Sequence, residues 1–244
     1  MAAFRVLLVV DAEKFSVRRD AELHDHHLTI REVLDEALKA SDLVQTWQAA
    51  RFVENTGDGI LAVLPAESAP RLVDHFPRCL QQKLAERARQ PRAQGRRLRL
   101  RAALHVGIVD EYAVAPFSTA AIDVNRLLDA EPLHAALRDS DPDVTYAAFI
   151  VSARLFDTYV AGGWTRLRES QFTEVRVEAK QDMGSAYLHV PIASPGGAPA
   201  ERDSPHQPAP VPDGPFLIGF GLRGNAPPRA IDDIVGRDSS RRRS

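Results

Sequence analysis

At 244 residues, 44% hydrophobic and 26% charged, the chain has the composition of a soluble globular protein with room for one large domain or two small ones. Its net charge of −2 supplies no electrostatic reason to expect nucleic acid or an anionic membrane as partner, and a single cysteine, Cys79, excludes an intrachain disulfide. The apolar run Val6–Val10 is too short for a signal-peptide core or a membrane span and ends at Asp11, so a reducing, cytoplasmic setting is expected.

Phe4 to Val10 reads as a buried strand. From about Glu22 to Ala40, Ile30, Val33, Leu34, Ala37 and Leu38 follow the i, i+3, i+4, i+7, i+8 pattern of a helix face. Arg51–Val53 and Ile60–Leu64 flank Thr56-Gly-Asp-Gly59 as a hairpin. Leu72, Val73, Phe76, Leu80 and Leu84 outline a second helix, with Pro77 as a kink or a late start. A polar loop over Gln90–Arg96 leads to a long strand, Leu98–Val109, and then to a third helix from about Thr119 to Leu128. Phe149–Val151 is a strand, Arg154–Val160 a short helix, and Thr173–Val177 and Ser185–Val190 two further strands. The order βαββαβ with an αββ extension predicts a ferredoxin-like α+β sandwich over residues 1–192. Residues 193–244 change character: a stretch dense in Pro, Ala, Gly and Asp cannot bury enough apolar area to offset about 1–2 kcal/mol per residue of backbone ordering. A disordered tail is expected there, interrupted by the apolar island Pro215–Leu222, a docking element for a partner or for the domain itself.

Two acids stand out. Asp11 closes the first strand and Asp58 sits in the Gly57-Asp58-Gly59 turn; carboxylates from neighbouring strands that meet within about 4 Å repel by about 4 kcal/mol at an effective dielectric near 20. Such a pair shares a proton or holds a cation, and oxygen-only ligands suit Mg²⁺ or Mn²⁺ and phosphate chemistry.

With Asp11 and Asp58 placed, the chain resembles the catalytic domain of the class III nucleotide cyclases. Asp11-x-x-x-Phe15-Ser16, the Gly57-Asp58 hairpin, Arg101-Ala-Ala-Leu-His105-Val-Gly107 and Arg126-Leu127 stand in the family's order across residues 4–192. The resemblance implies two divalent ions, Mg²⁺ or Mn²⁺, on Asp11, Asp58 and the backbone carbonyl of Ala12. It further implies nucleotide contacts from Phe15 and Glu54, and phosphate contacts from Arg126 and Lys180. The implied activity is conversion of a nucleoside triphosphate to a 3′,5′-cyclic nucleotide and pyrophosphate at sites shared across a homodimer. Glu54 stands where the family reads the base and favours GTP, or a pyrimidine nucleotide, over ATP; the second base-reading position falls near Ala115. One residue departs from the pattern: Ile122 occupies the place of a helical Asn four residues before Arg126, while Asn125 lies about 100° round the helix. Loss of one oriented donor typically costs about 10²- to 10³-fold in rate.

Plainer accounts stand beside these. Asp58 and its glycines suit a turn; Arg126 can pair with Asp123 or Asp129; Lys180 can be a solvated turn residue and His105 a core residue. His24, His26 and His27 lack the spacing of a helical zinc site, and Arg97, Arg99 and Arg101 share one strand face, as in an exposed edge or a dimer contact. A cyclase-homology domain that binds nucleotide or a partner without turnover is the alternative function.

Overall fold

A computed structural model describes residues 2–13, 20–55, 59–89, 97–110, 118–178 and 183–193, all within the unit Met1–Arg202. The expected tail beyond residue 193, with its apolar island, lies outside them. The elements run β1 (Ala2–Ala12), α1 (Asp20–Ala40), α2 (Val44–Gln48), β2 (Phe52–Asn55), β3 (Gly59–Pro65), α3 (Ala69–Ala88), β4 (Leu100–Asp110) and α4 (Thr119–Leu128). Then follow α5 (Glu131–Arg138), β5 (Ala147–Ser152), α6 (Ala153–Leu155), which widens into π-helical turns over Phe156–Ala161, β6 (Thr173–Glu178) and β7 (Met183–His189).

One seven-stranded sheet carries the order β2-β3-β1-β4-β5-β7-β6. Its first four strands have the ferredoxin-like arrangement expected from βαββαβ, and β5, β7 and β6 extend the β4 side. Only β4 and β5 pair in parallel; the chain between them carries α4 and α5.

Helices cover both faces, which explains why Val6–Val10 is continuously apolar rather than alternating. Val6, Leu8, Val10 and Ala12 pack with Ile30, Leu34 and Leu38 of α1 and with Leu72, Phe76 and Leu80 of α3. Leu7 and Val9 face the other way, onto Val124 and Leu127 of α4 and Leu133 and Leu137 of α5. α3 runs unbroken through the buried Pro77, so the proline is neither its start nor its end. Gln81, fully buried on α3, ties it to the β5 lead-in: its Oε1 accepts from the amides of Tyr146 and Ala147 at 2.8 and 2.9 Å, and its Nε2 donates to the Val144 carbonyl.

Two elements escaped the sequence pattern, α2 and α5. The first is too short to show a period. The second opens on Glu131-Pro132, a favoured helix start, and buries Leu133 and Leu137 one turn apart. It matters most for the site.

Candidate nucleotide site

β1 runs further than expected. Asp11 lies within the strand rather than beyond it, with Gly59 of β3 on one side and Arg101 of β4 on the other. Alternation along β1 puts Asp11 on the face of Leu7 and Val9, beneath α4 and α5. Gly59 is required at its position: a Cβ there would fall 2.1 Å from the Val10 carbonyl oxygen, so only glycine lets β3 approach β1 at the Asp11 rung. Ala12 ends β1 opposite Leu100 and is buried.

Asp11 is 8% exposed, and its carboxylate is held by a guanidinium fork. Arg101 Nε donates to Oδ1 at 2.9 Å and Nη2 to Oδ2 at 2.5 Å. The third nitrogen, Nη1, faces the His134 ring on α5, 2.6 Å from Nδ1 and 2.5 Å from Nε2, and that Nε2 also lies 3.2 Å from the Leu128 carbonyl oxygen at the end of α4. The ring is held between the guanidinium and that carbonyl. Burial, and then the Arg101 cation, lower the His134 pKa, which favours a neutral ring.

A second rung repeats the arrangement. Arg99, 6% exposed, donates from Nη1 to Glu13 at 3.0 Å, from Nε to the Thr145 carbonyl, and from Nη2 to the Leu137 carbonyl and Ser140 Oγ. The two arginines are therefore not an exposed edge or a dimer contact, as their alternation suggested. β4 is an interior strand whose antiparallel pairing sets Arg101 against Asp11, and just past both strand ends the Glu13 amide donates to the Arg99 carbonyl at 2.9 Å, which sets Arg99 against Glu13. Arg97, further from the strand, is in a surface pair with Asp143. Sequence reasoning missed these partners of Asp11, because Arg101 stands ninety positions away on a strand that neighbours β1 only in the folded sheet.

α4 starts at Ser118, whose hydroxyl accepts from the Ala121 amide at 3.2 Å, and seats its first turn against Gly107, where a Cβ would meet that of Ala120 at 2.6 Å. Its buried side is Ala120, Ala121, Val124, Leu127 and Leu128. Ile122 is 47% exposed and shares its outer face with Arg126, which lies one turn on and pairs with Asp123 at 3.4 Å. Asn125 points elsewhere and folds its amide back onto the Ala121 carbonyl, so it does not replace the missing Asn. His105 sits on β4 near Asp123; its Nδ1 is buried without a hydrogen-bond partner, and burial lowers its pKa.

Of the remaining expected site residues, Glu54 lies on β2 opposite Leu61. Phe15, Asp58, Lys180 and Ala115 fall outside the described residues. The fold does bring Asp11 beside Gly59, the residue that follows Asp58 in the chain.

No protein-family model matches the chain, and no curated protein matches it. Solved structures do share its fold. The adenylate/guanylate cyclase/hydrolase from Silicibacter pomeroyi superposes with a TM-score of 0.53 at 20% identity, over 78% of this chain and 98% of that one. A bacterial light-regulated adenylyl cyclase gives 0.51 at 14% identity, over 77% and 90%. The catalytic core of a rhodopsin-guanylyl cyclase with converted specificity, in complex with ATPαS, gives 0.50 at 13% identity, over 80% and 100%. The chain has the fold of the adenylyl and guanylyl cyclase catalytic domains.

Proposed function

We propose that this chain is a nucleotide cyclase domain that converts a nucleoside triphosphate, GTP or a pyrimidine nucleotide in preference to ATP, into a 3′,5′-cyclic nucleotide and pyrophosphate. The observation that carries the reading is the register of β1: Asp11, on a core strand, is paired with Gly59 at the base of the hairpin that contains Asp58. In the reaction the ribose 3′-oxygen attacks the α-phosphorus, its proton passing to solvent or a base. The bond from that phosphorus to the bridging oxygen of the β-phosphate breaks, and pyrophosphate leaves. Arg126, on the half-exposed face of α4, neutralises charge on the transferring phosphoryl oxygens, with Lys180 on the leaving phosphates. Glu54 accepts hydrogen bonds from the base, and Phe15 lines the nucleotide. Two sites form across a homodimer, in which Arg126 of one subunit faces Asp11 and Asp58 of the other.

Mg²⁺ or Mn²⁺ would be held by Asp11, Asp58 and the Ala12 carbonyl, and would supply charge neutralisation for the triphosphate. The donor chemistry, carboxylate and carbonyl oxygen, fits a hard cation. The placement adds a competitor, because Arg101 binds both Asp11 oxygens. Among the described residues, no group of three or more His, Cys, Asp or Glu could hold an ion.

Purified protein incubated with Mn²⁺ and each of the four nucleoside triphosphates is expected to release pyrophosphate slowly and form a cyclic product identifiable by mass spectrometry. Asp58→Ala is expected to abolish both. No pyrophosphate from any nucleotide would exclude catalysis by the isolated chain. The Asp11–Arg101 fork and the exposed Ile122 favour a second reading, nucleotide binding without turnover. A nucleotide-dependent rise in melting temperature with no product is its signature.

A further inference from the structure

We propose that Arg101 is a resident counter-cation that competes with divalent metal for Asp11, so that the nucleotide-free protein binds metal weakly by construction. This rests on the metal role assigned to Asp11 above. Each guanidinium nitrogen of Arg101 has a partner: Nε and Nη2 on the two Asp11 oxygens, Nη1 on His134. The side chain is 12% exposed, so water does little to screen the pair. The next acid in the chain, Glu13 just past β1, is neutralised by one contact from Arg99. The four charges Asp11, Glu13, Arg99 and Arg101 cancel. A dication at Asp11 meets a fixed positive charge within contact distance, and either oxygen it binds is already engaged in a charge-assisted hydrogen bond. His134 is a positioning residue in this device. Held by the end of α4, it braces the guanidinium from the side opposite the carboxylate.

The test is Mn²⁺ titration of the full chain without nucleotide, following free Mn²⁺ by electron paramagnetic resonance. Arg101→Gln removes the cation and keeps hydrogen-bonding capacity; it is expected to tighten Mn²⁺ binding by at least about tenfold. Adding Asp11→Asn to that variant is expected to cancel the gain. Arg101→Lys keeps the charge but loses the planar fork, and is expected to bind between wild type and Arg101→Gln; it decides the matter should Arg101→Gln not fold. The proposal is overturned if neither variant binds Mn²⁺ more tightly than wild type, or if the gain survives Asp11→Asn. Turnover with nucleotide is scored separately. Product without the Mn²⁺ gain removes this proposal and leaves the cyclase reading, and the gain without product does the reverse.

Discussion

Truncating Asp11 to Ala isolates the guanidinium of Arg101 in a site where its side chain is 12% exposed. Two charge-assisted hydrogen bonds are lost, each worth about 1.5–3 kcal/mol, and a buried cation left unpaired typically costs about 3–5 kcal/mol in total. The remaining contact to His134 keeps the expected loss near the lower end, about 3 kcal/mol. That is a large part of the roughly 5–15 kcal/mol that holds a domain together, and it corresponds to about 6–12 °C in Tm for a domain of this size. The assay is urea unfolding followed by circular dichroism, for wild type, Asp11→Ala, Arg101→Met and the double variant. Removing Arg101 in the Asp11→Ala background should recover most of the loss, because the orphaned charge goes with it, giving a coupling of about 2–3 kcal/mol. Strictly additive single losses, or an Asp11→Ala variant within about 1 kcal/mol of wild type, would refute the buried fork as a stabilising pair.

Arg126 should behave in the opposite sense. Its pair with Asp123 is half-exposed and long, so Arg126→Ala should change unfolding free energy by about 0–1 kcal/mol yet lower any cyclic-nucleotide production by about 10²- to 10³-fold; equal activity would remove it from the chemistry. Gln81→Leu orphans two buried amides and one carbonyl and should cost about 2–4 kcal/mol in the same unfolding assay, against near-neutrality if those hydrogen bonds carry nothing. His189 and His105 have pKa values lowered chiefly by burial, opposed at His189 by the Gln171 carbonyl and Asp74 and at His105 by Asp123. The unfolded chain therefore takes up protons first as pH falls: the stability these rings contribute is complete above about pH 6.5 and is lost as pH drops towards their folded values. The urea midpoint should be lower at about pH 5.5 than at about 7.5, with a shallower dependence in His189→Gln; identical midpoints would contradict the assignment.

Much of this molecule is legible in the order of its residues. Period-two alternation and continuous apolar runs mark β1, β3, β4 and β5, and the 3.6-residue period marks α1, α3 and α4, because burial on one or two faces is a local pattern. The short connecting helix α2 leaves no such pattern, and the single apolar pair of α5 is too little to declare a face. Ile122 on the outer face of α4, and Asn125 off it, also follow from helix geometry alone.

What residue order could not state is which groups claim the first-strand acid. Arg101 is ninety positions from Asp11 and His134 a further thirty-three, separations that no local pattern spans. The type of each residue, its strand or helix and its phase along that element belong to the sequence, since those depend on neighbours a few residues away. The meeting of Asp11, Arg101 and His134 belongs to the tertiary structure. Antiparallel pairing sets the register of β1 against β4, and packing of α5 over their ends closes the cluster into a low-dielectric site where opposite charges bind each other before they bind anything else.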